Sequence, residues 1–419
     1  MSSSRAIGRT FFNTVMLYAM AAAKILFPLL TLPYLTHVLT VECYGAVAYT
    51  KSIIGYAQMV IDFGFLLSAV KDVAKANGDK EQISHIAGDT ILSKILLAGV
   101  ACLVVFVASC FIPILAEYRT LLFLSLIPPV LSCFLLDFLF RGIEKMHIVS
   151  AIYISMKTLS TLLTMCIIKN DADVLMIPIF DSISSLFAVV LSSLILLKLG
   201  FKIRFSGIKS VFQKIKESFF YFTNSVASSM LSAFNTIIIG IWMNDLQEVA
   251  YWSVSVQLVG AIQTMYTPLS QGVYPYMVKT KDFSLIKKII VFFVPLVLIG
   301  TVITGIISPT LLTVVSGEEY AVAASVFRKL LPVIVISFPV ALLAWPTLGA
   351  IDKVKQINMA TLTGAGVQVA GLVLLYIRGV FTIENVALLR NISEFAMFLV
   401  LLVCVIKYKK QFSNVTKFS

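Results

Sequence analysis

Six basic side chains and two acids stand well inside apolar stretches of this sequence. Lys24, Lys51, Lys157, Arg328, Lys329 and Arg390 face Asp181 and Glu394. A charge at mid-membrane costs about 2.5–3.5 kcal/mol on insertion scales, so it usually lines a cavity or meets a partner. The excess is basic, and lysine and arginine hold phosphate strongly in a low dielectric. Lys24, Lys51, Lys157, Arg328 and Arg390 are therefore the candidates for an anionic headgroup. Some of these charges have an internal partner at hand. Arg390 and Glu394 are one helical turn apart, and Lys157 can reach Asp181 on the next span. Lys24 and Lys51 have no acid within a turn. Arg328 and Lys329 are neighbours, about 100° apart on a helix, so the two cannot both point squarely at one cavity. Asp62, Asp89, Lys94 and Asp137 lie nearer the ends of their runs, where snorkelling is cheap.

Polar stripes accompany the charges. Asn13 and Lys24 are eleven residues apart and share a helical face. Asn224, Ser228, Ser232 and Asn235 follow one another at helical spacing on the seventh span. Ser253, Gln257, Gly260, Thr264, Thr267 and Gln271 do so on the eighth. A lone hydroxyl in a span usually bonds backbone or a neighbouring helix. Sustained stripes that include amides read instead as the wall of a wet cavity, with Asn13, Asn224, Ser228, Asn235, Gln257 and Gln271 placed to meet sugar hydroxyls. Prolines at positions 28, 33, 128, 129, 268, 275, 332 and 339 bend several spans by removing backbone hydrogen bonds.

Catalytic motifs are missing. The sequence has no phosphate-binding glycine loop, no H-E-x-x-H, and only three histidines, far apart. The six cysteines form no C-x-x-C pair, so neither a metal site nor a disulfide framework is indicated. Asp171-Ala-Asp173 resembles the acidic motif of polyprenyl-sugar glycosyltransferases, but it lies in a very short loop and reads as ordinary loop charge. The expectation is a protein that is not an enzyme and has no cofactor, its work driven by a gradient or by the supply of its own substrate. Asp62, Asp181 and Glu394 are the candidates for coupling to H⁺ or Na⁺.

The elements that position these residues are helices across a bilayer. Of 419 residues, 59% are hydrophobic and 13% charged, with a mean hydropathy of +0.96. Soluble domains average roughly 45–50% apolar and about 25% charged, so a soluble enzyme, a disordered chain and a nucleic-acid-binding protein are excluded. The apolar runs are about twenty residues or longer, as a helix needs to cross roughly 30 Å of hydrocarbon. Membrane β-strands would alternate polarity over about ten residues. The first run, from near Phe11 past Leu30, is too long for the core of a cleaved signal peptide.

The reading is an all-α polytopic membrane protein, with about twelve transmembrane helices in two six-helix lobes around a central cavity. The expected divisions are 1–199, a basic cytoplasmic linker at 200–217, and 218–419. Most of the 33 basic residues fall on one side of this topology, and only Arg119, Lys169 and Arg378 fall in loops on the other. By the positive-inside rule both termini are cytoplasmic. The net charge of +12 follows from the same asymmetry.

Several stretches resemble a known family. Pro28-Leu-Leu-Thr-Leu-Pro33-Tyr-Leu-Thr, followed by Tyr44-Gly45, is similar to the first-span signature of the polysaccharide-transport branch of the multidrug/oligosaccharidyl-lipid/polysaccharide exporter superfamily. Asp62-Phe-Gly64-Phe, with Ala69 to Ala76 after it, and Tyr274-Pro275-Tyr fit the same branch. Phe138-Leu-Phe-Arg141-Gly142-Ile-Glu144-Lys145-Met146 resembles the W-L-F-Q-G-x-E-K-M stretch of Wzx-type O-antigen flippases, with Phe138 replacing Trp and Arg141 replacing Gln. The resemblance implies alternating access in a bacterial inner membrane. It also implies an undecaprenyl-pyrophosphate-linked oligosaccharide as substrate, the phospholipid bilayer as surroundings, a polymerase and a chain-length regulator as pathway partners, and no nucleic acid. The rival readings are a multidrug antiporter of the same superfamily, which should line its cavity with unpaired acids, and a membrane polymerase or glycosyltransferase, which should carry a large outer loop.

Overall fold

The computed structural model describes residues 2–412, with backbone alone for 2–14, 17 and 224. The chain forms two compact units, Met1–Val226 and Ala227–Ser419. The first contains α1 (Ser2–Val38), α2 (Val41–Asp62), α3 (Phe65–Lys75), α4 (Lys80–Phe111), α5 (Pro113–Glu117), α6 (Arg119–Leu131), α7 (Asp137–Gly142), α8 (Met146–Ile167), α9 (Met176–Lys198) and most of α10 (Ile208–Met230). The second contains α11 (Ala233–Met243), α12 (Leu246–Thr264), α13 (Tyr266–Thr280), α14 (Phe283–Ile306), α15 (Ser308–Ser316), α16 (Ala324–Leu330), α17 (Pro332–Leu342), α18 (Val354–Ile377) and α19 (Ile383–Lys407).

Among the described residues, ten helical segments are long and apolar enough to cross a membrane, and α10 with α11 forms one further, broken span. The stretch expected as the eighth span is occupied by α12 and α13, whose polar stripe lowers its hydropathy. This is a multi-pass α-helical membrane protein.

In unit one the breaks between helices have local causes. Phe63 and Gly64 both take positive φ, 39° and 80°, which ends α2 and starts α3. A Cβ at Gly64 would lie 2.5 Å from that of Tyr221, so glycine is required by space as well as by conformation. Phe63 then stacks on Phe222 at 4.3 Å between ring centroids. The Phe138–Met146 stretch is largely a packing device. Phe138, Leu139 and Phe140 are buried, and Gly142 brings α7 against α3, where an added Cβ would sit 2.5 Å from Val73 Cβ. Gly142→Val is therefore expected to cost about 1–3 kcal/mol by overpacking, read as a lower thermal midpoint of the purified chain.

Asp171 and Asp173 are structural. Asp171 accepts from Thr40 N at 2.9 Å and Thr40 Oγ1 at 2.7 Å, and Asp173 accepts from Lys169 N at 2.9 Å. Asp171 ties the α1–α2 turn to the loop after α8, and Asp173 closes that loop on itself.

The segment between α9 and α10 is strapped to α4. Lys202 N donates to Ser84 Oγ and Arg204 N to Ser84 O. Ser206 N and Ser210 Oγ both donate to the buried Asp89 carboxylate. The residues expected to form a linker at 200–217 thus belong to unit one.

In unit two, α18 and α19 pack closely because glycines face larger residues at matching spacing. A Cβ on Gly371 would meet Leu389 Cδ1 at 2.2 Å, and one on Gly364 would meet Ser393 O at 3.1 Å. The core of the unit joins Met277, Ile286, Phe338, Leu342, Leu348, Ile357 and Leu401. By contrast, only Ile286 of α14 is buried. The rest of that helix shows apolar side chains such as Val291, Phe292 and Ile306 on the surface, as a lipid-facing helix does.

Candidate functional site: a lysine-lined cavity in unit one

Four helices of unit one enclose a cavity of about 450 Å³, within the range of roughly 300–1,000 Å³ typical of small-molecule sites. Each wall is one helical face. Helix α2 contributes Val47, Lys51, Ile54 and Gln58, and α6 contributes Leu121, Ser125 and Pro128, with Ser132 just past its end. Helix α8 contributes Tyr153, Lys157 and Ser160, and α9 contributes Pro178, Asp181 and Ser185. These positions recur at three- and four-residue steps, so helical geometry alone turns them the same way.

Two lysines face a single carboxylate there. Lys157 Nζ lies 4.0 Å from Asp181 Oδ1, and Ser160 Oγ donates to the same oxygen at 2.6 Å. Lys51 stands close enough to feel both charges. It has no ion-pair or hydrogen-bond partner among the described residues and is exposed towards the cavity. Lys24 on α1 lies over the ring of Tyr153, 5.6 Å from its centroid, a cation–π contact at the cavity wall.

The other end of the cavity is a closed polar chain. Gln58 Nε2 donates to Ser132 Oγ at 3.0 Å and to Asp62 Oδ2 at 2.8 Å. Lys94 Nζ reaches Asp62 Oδ1 at 2.8 Å. Gln58, Ser125, Ser132, Tyr153 and Ser160 were not picked out from the sequence as binding residues. For Gln58, Tyr153 and Ser160 the signal was the helical step of seven, four or three residues from Lys51 or Lys157, which becomes informative only once those lysines are known to share a cavity; Ser125 and Ser132 carried no such signal.

The remaining candidates are distributed differently. Arg390 and Glu394 form an ion pair at 2.7 Å, with Glu394 buried, so Arg390 is committed to that partner instead of to an open headgroup site. Arg328 lies on α16, ahead of the apolar segment Pro332–Ile351, where the sequence suggests a span beginning near residue 320. Proline at position 332 starts a new helix and leaves Arg328 beyond it.

Asn235 is fully buried and accepts from Gln368 Nε2 at 2.8 Å. It ties α11 to α18 instead of facing a sugar. The stripe from Asn224 to Asn235 is also interrupted, because α10 ends at Met230 and α11 starts at Ala233. Ser228 and Gln271 are exposed and Gln257 is half-buried. The side chains of Asn13 and Asn224 lie outside the described residues. All six cysteines are unbridged.

A multi-helix membrane fold with a charged cavity between helix faces defines a transporter-like protein, and the comparisons agree. Over 94% of its length the chain matches the lipid II flippase MurJ in an inward closed conformation, covering 87% of that chain, with a TM-score of 0.68 and 15% identity. It also matches an inward-facing multidrug resistance MATE family transporter of the MOP superfamily, with a TM-score of 0.67 and 13% identity, over 92% of this chain and 95% of that one. At such identities the likeness is one of fold.

The profile of the polysaccharide biosynthesis protein family matches residues 12–281, and the chain belongs to that family. A relative from Shigella dysenteriae, provisionally named an O-antigen transporter, is 25% identical over 325 residues, covering 76% of this chain and 81% of its own length. Another from Escherichia coli K12, with the same provisional name, is 24% identical over 281 residues, covering 66% of this chain and 67% of its own. These relatives are named as transporters, not enzymes.

Proposed function

We propose that this protein is a flippase that carries an undecaprenyl-pyrophosphate-linked oligosaccharide, an O-antigen or similar repeat unit, from the cytoplasmic to the periplasmic leaflet of a bacterial inner membrane by alternating access. The observation that carries this reading is the unit-one cavity, where Lys51 and Lys157 outnumber Asp181 and Lys24 stands at the wall over Tyr153. A pyrophosphate entering this low-dielectric space meets two ammonium groups, one of them without a partner, and gains more from them than it would in water. A multidrug antiporter for cations would reverse that balance. A polymerase or glycosyltransferase would need a catalytic centre, and Asp171 and Asp173 are occupied in holding loops in place.

In this reading both termini are cytoplasmic, as the distribution of Lys and Arg favours, and sugar contacts fall to polar groups such as Ser228, Gln257 and Gln271. Of the carboxylates considered for H⁺ or Na⁺ coupling, Asp62 is held by Lys94 and Glu394 by Arg390. Asp181 shares its cavity with the lysines, so a headgroup that draws Lys157 away frees this carboxylate for an ion. A polymerase and a chain-length regulator would act on the product.

The test is the leaflet distribution of lipid-linked oligosaccharide in a strain lacking this chain, scored with a membrane-impermeant glycosidase. The expected result is intermediate that resists the enzyme in intact cells and becomes accessible when the chain is restored. Single units accumulating on the periplasmic side would mean that polymerisation had failed and would overturn the reading.

A further inference from the structure

Arg328 is absent from the unit-one cavity but has a built environment of its own. Its Nε donates to Gly305 O at 2.9 Å and to Ser308 Oγ at 2.7 Å. These two bonds fix the guanidinium at the junction of α14 and α15. Neither Nη has an acceptor among the described residues, and no acid lies within ion-pair distance of the group. Beside it lies an open surface pocket lined by Thr301, Val302, Gly305, Ile306, Leu331, Pro332 and Arg328 itself. Thr301 Oγ1 is buried in this wall with no hydrogen-bond partner. The flank is apolar and open, with Val302 54% and Ile306 71% exposed. A fixed cation, an unpaired hydroxyl and an apolar wall form an amphiphilic site, on a helix with almost no buried surface.

We infer that this pocket binds the phosphodiester of a phospholipid, with the two free Nη groups on the phosphate and the glycerol and upper acyl chain along Val302, Ile306 and Leu331. Charge complementarity selects the headgroup, because a guanidinium fork matches two phosphate oxygens. The lining favours a lipid over a free anion, because inorganic phosphate would engage the guanidinium alone while a phospholipid also lays its glycerol and acyl chain along the apolar wall. With the orientation adopted under the proposed function, this end of α14 meets the outer leaflet, and the bound lipid belongs there. The site adds to the flippase reading without depending on transport, since lipid binding is read on the purified chain.

The chain, purified in detergent, would be titrated with dioleoyl phosphatidylglycerol and followed by native mass spectrometry. Arg328→Gln is expected to weaken the tightest lipid adduct about tenfold, as loss of charge-assisted hydrogen bonds does. Gly305→Leu, which fills the pocket and keeps the arginine, is expected to weaken it similarly. It carries the test by itself if Arg328→Gln does not fold. Affinities within twofold of wild type for the folded variants would overturn the inference. So would displacement of the lipid by millimolar inorganic phosphate, which would mark a free-anion site, or much tighter binding of undecaprenyl phosphate at the same place, which would mark a substrate site. Lipid binding in a chain that fails the leaflet assay would keep this site and remove the proposed function.

Discussion

Lys51→Ala is expected to lower surface polysaccharide at least tenfold in a strain that depends on this chain, while the amount of protein in the membrane stays near wild type. The two halves of that expectation have different causes. Lys51 has no partner among the described residues, so its removal leaves no buried group unsatisfied and has little effect on folding. Its loss takes away the lysine lining the cavity that, unlike Lys157, has no ion pair among the described residues. Truncating one member of a desolvated charge pair costs about 2–5 kcal/mol in a complex, and a pyrophosphate arriving in this cavity would lose a contact of that kind. Lys51→Arg keeps the charge and should retain much of the transport. Lys51→Glu would set a second carboxylate beside Asp181 and should be inactive. Immunoblotting of membranes alongside polysaccharide quantification separates the effects. Wild-type polysaccharide in Lys51→Ala would remove the cavity from the proposed mechanism.

The contrast with Arg390 sharpens the point. Both are basic residues within apolar runs and both are headgroup candidates from the sequence, but only Arg390 has an acid one helical turn away. Glu394 is 4% exposed and relies on Arg390 at 2.7 Å. Removing the arginine strands a buried carboxylate, a loss of about 3–5 kcal/mol that falls on folding.

Helix existence is legible from the sequence because hydrocarbon length sets a minimum run of apolar residues, and most of the expected spans are present as helices. Breaks within runs are harder to read. The stripe from Asn224 to Asn235 has perfect helical spacing, yet it fails as a stripe because Leu231 and Ser232 stand outside the helices on either side. The stretch around Arg328 shows the same thing: a continuous apolar count runs through Pro332, where the chain starts a new helix. The pairing of Lys157 with Asp181 is foreseeable because both lie on consecutive antiparallel spans. The meeting of Lys51 with that pair requires α2 to lie against α6 with α8 and α9 across the cavity, a tertiary fact that no spacing encodes. The strap over α4 is equally hidden, since the donors at Lys202, Arg204 and Ser206 are backbone groups that any sequence would offer.

That strap gives the second large effect. Asp89 is 3% exposed and accepts from Ser206 N at 2.8 Å and Ser210 Oγ at 2.5 Å, which places a carboxylate at the start of α10. An anion is favoured at a helix N-terminus, where backbone N–H groups are unpaired and the helix dipole is positive. Asp89→Ala therefore removes two charge-assisted bonds and a favourable dipole contact, and is expected to cost about 2–4 kcal/mol. Asp89→Asn keeps an acceptor for Ser206 N and should lose less. Gly88→Ala attacks the same contact from the other side, since its Cβ would fall 2.1 Å from Arg204 O. The strap carries trypsin sites at Lys202, Arg204 and Lys209, and the Asp89 carboxylate and the close approach at Gly88 help to hold the backbone there. Limited trypsinolysis of the purified chain should cut this segment faster in Asp89→Ala and Gly88→Ala than in wild type, with Asp89→Asn between them. Equal cleavage in all four would mean that the strap is held by its other contacts, the Glu81–Arg204 ion pair and Lys80 over the Phe201 ring, with Asp89 adding little.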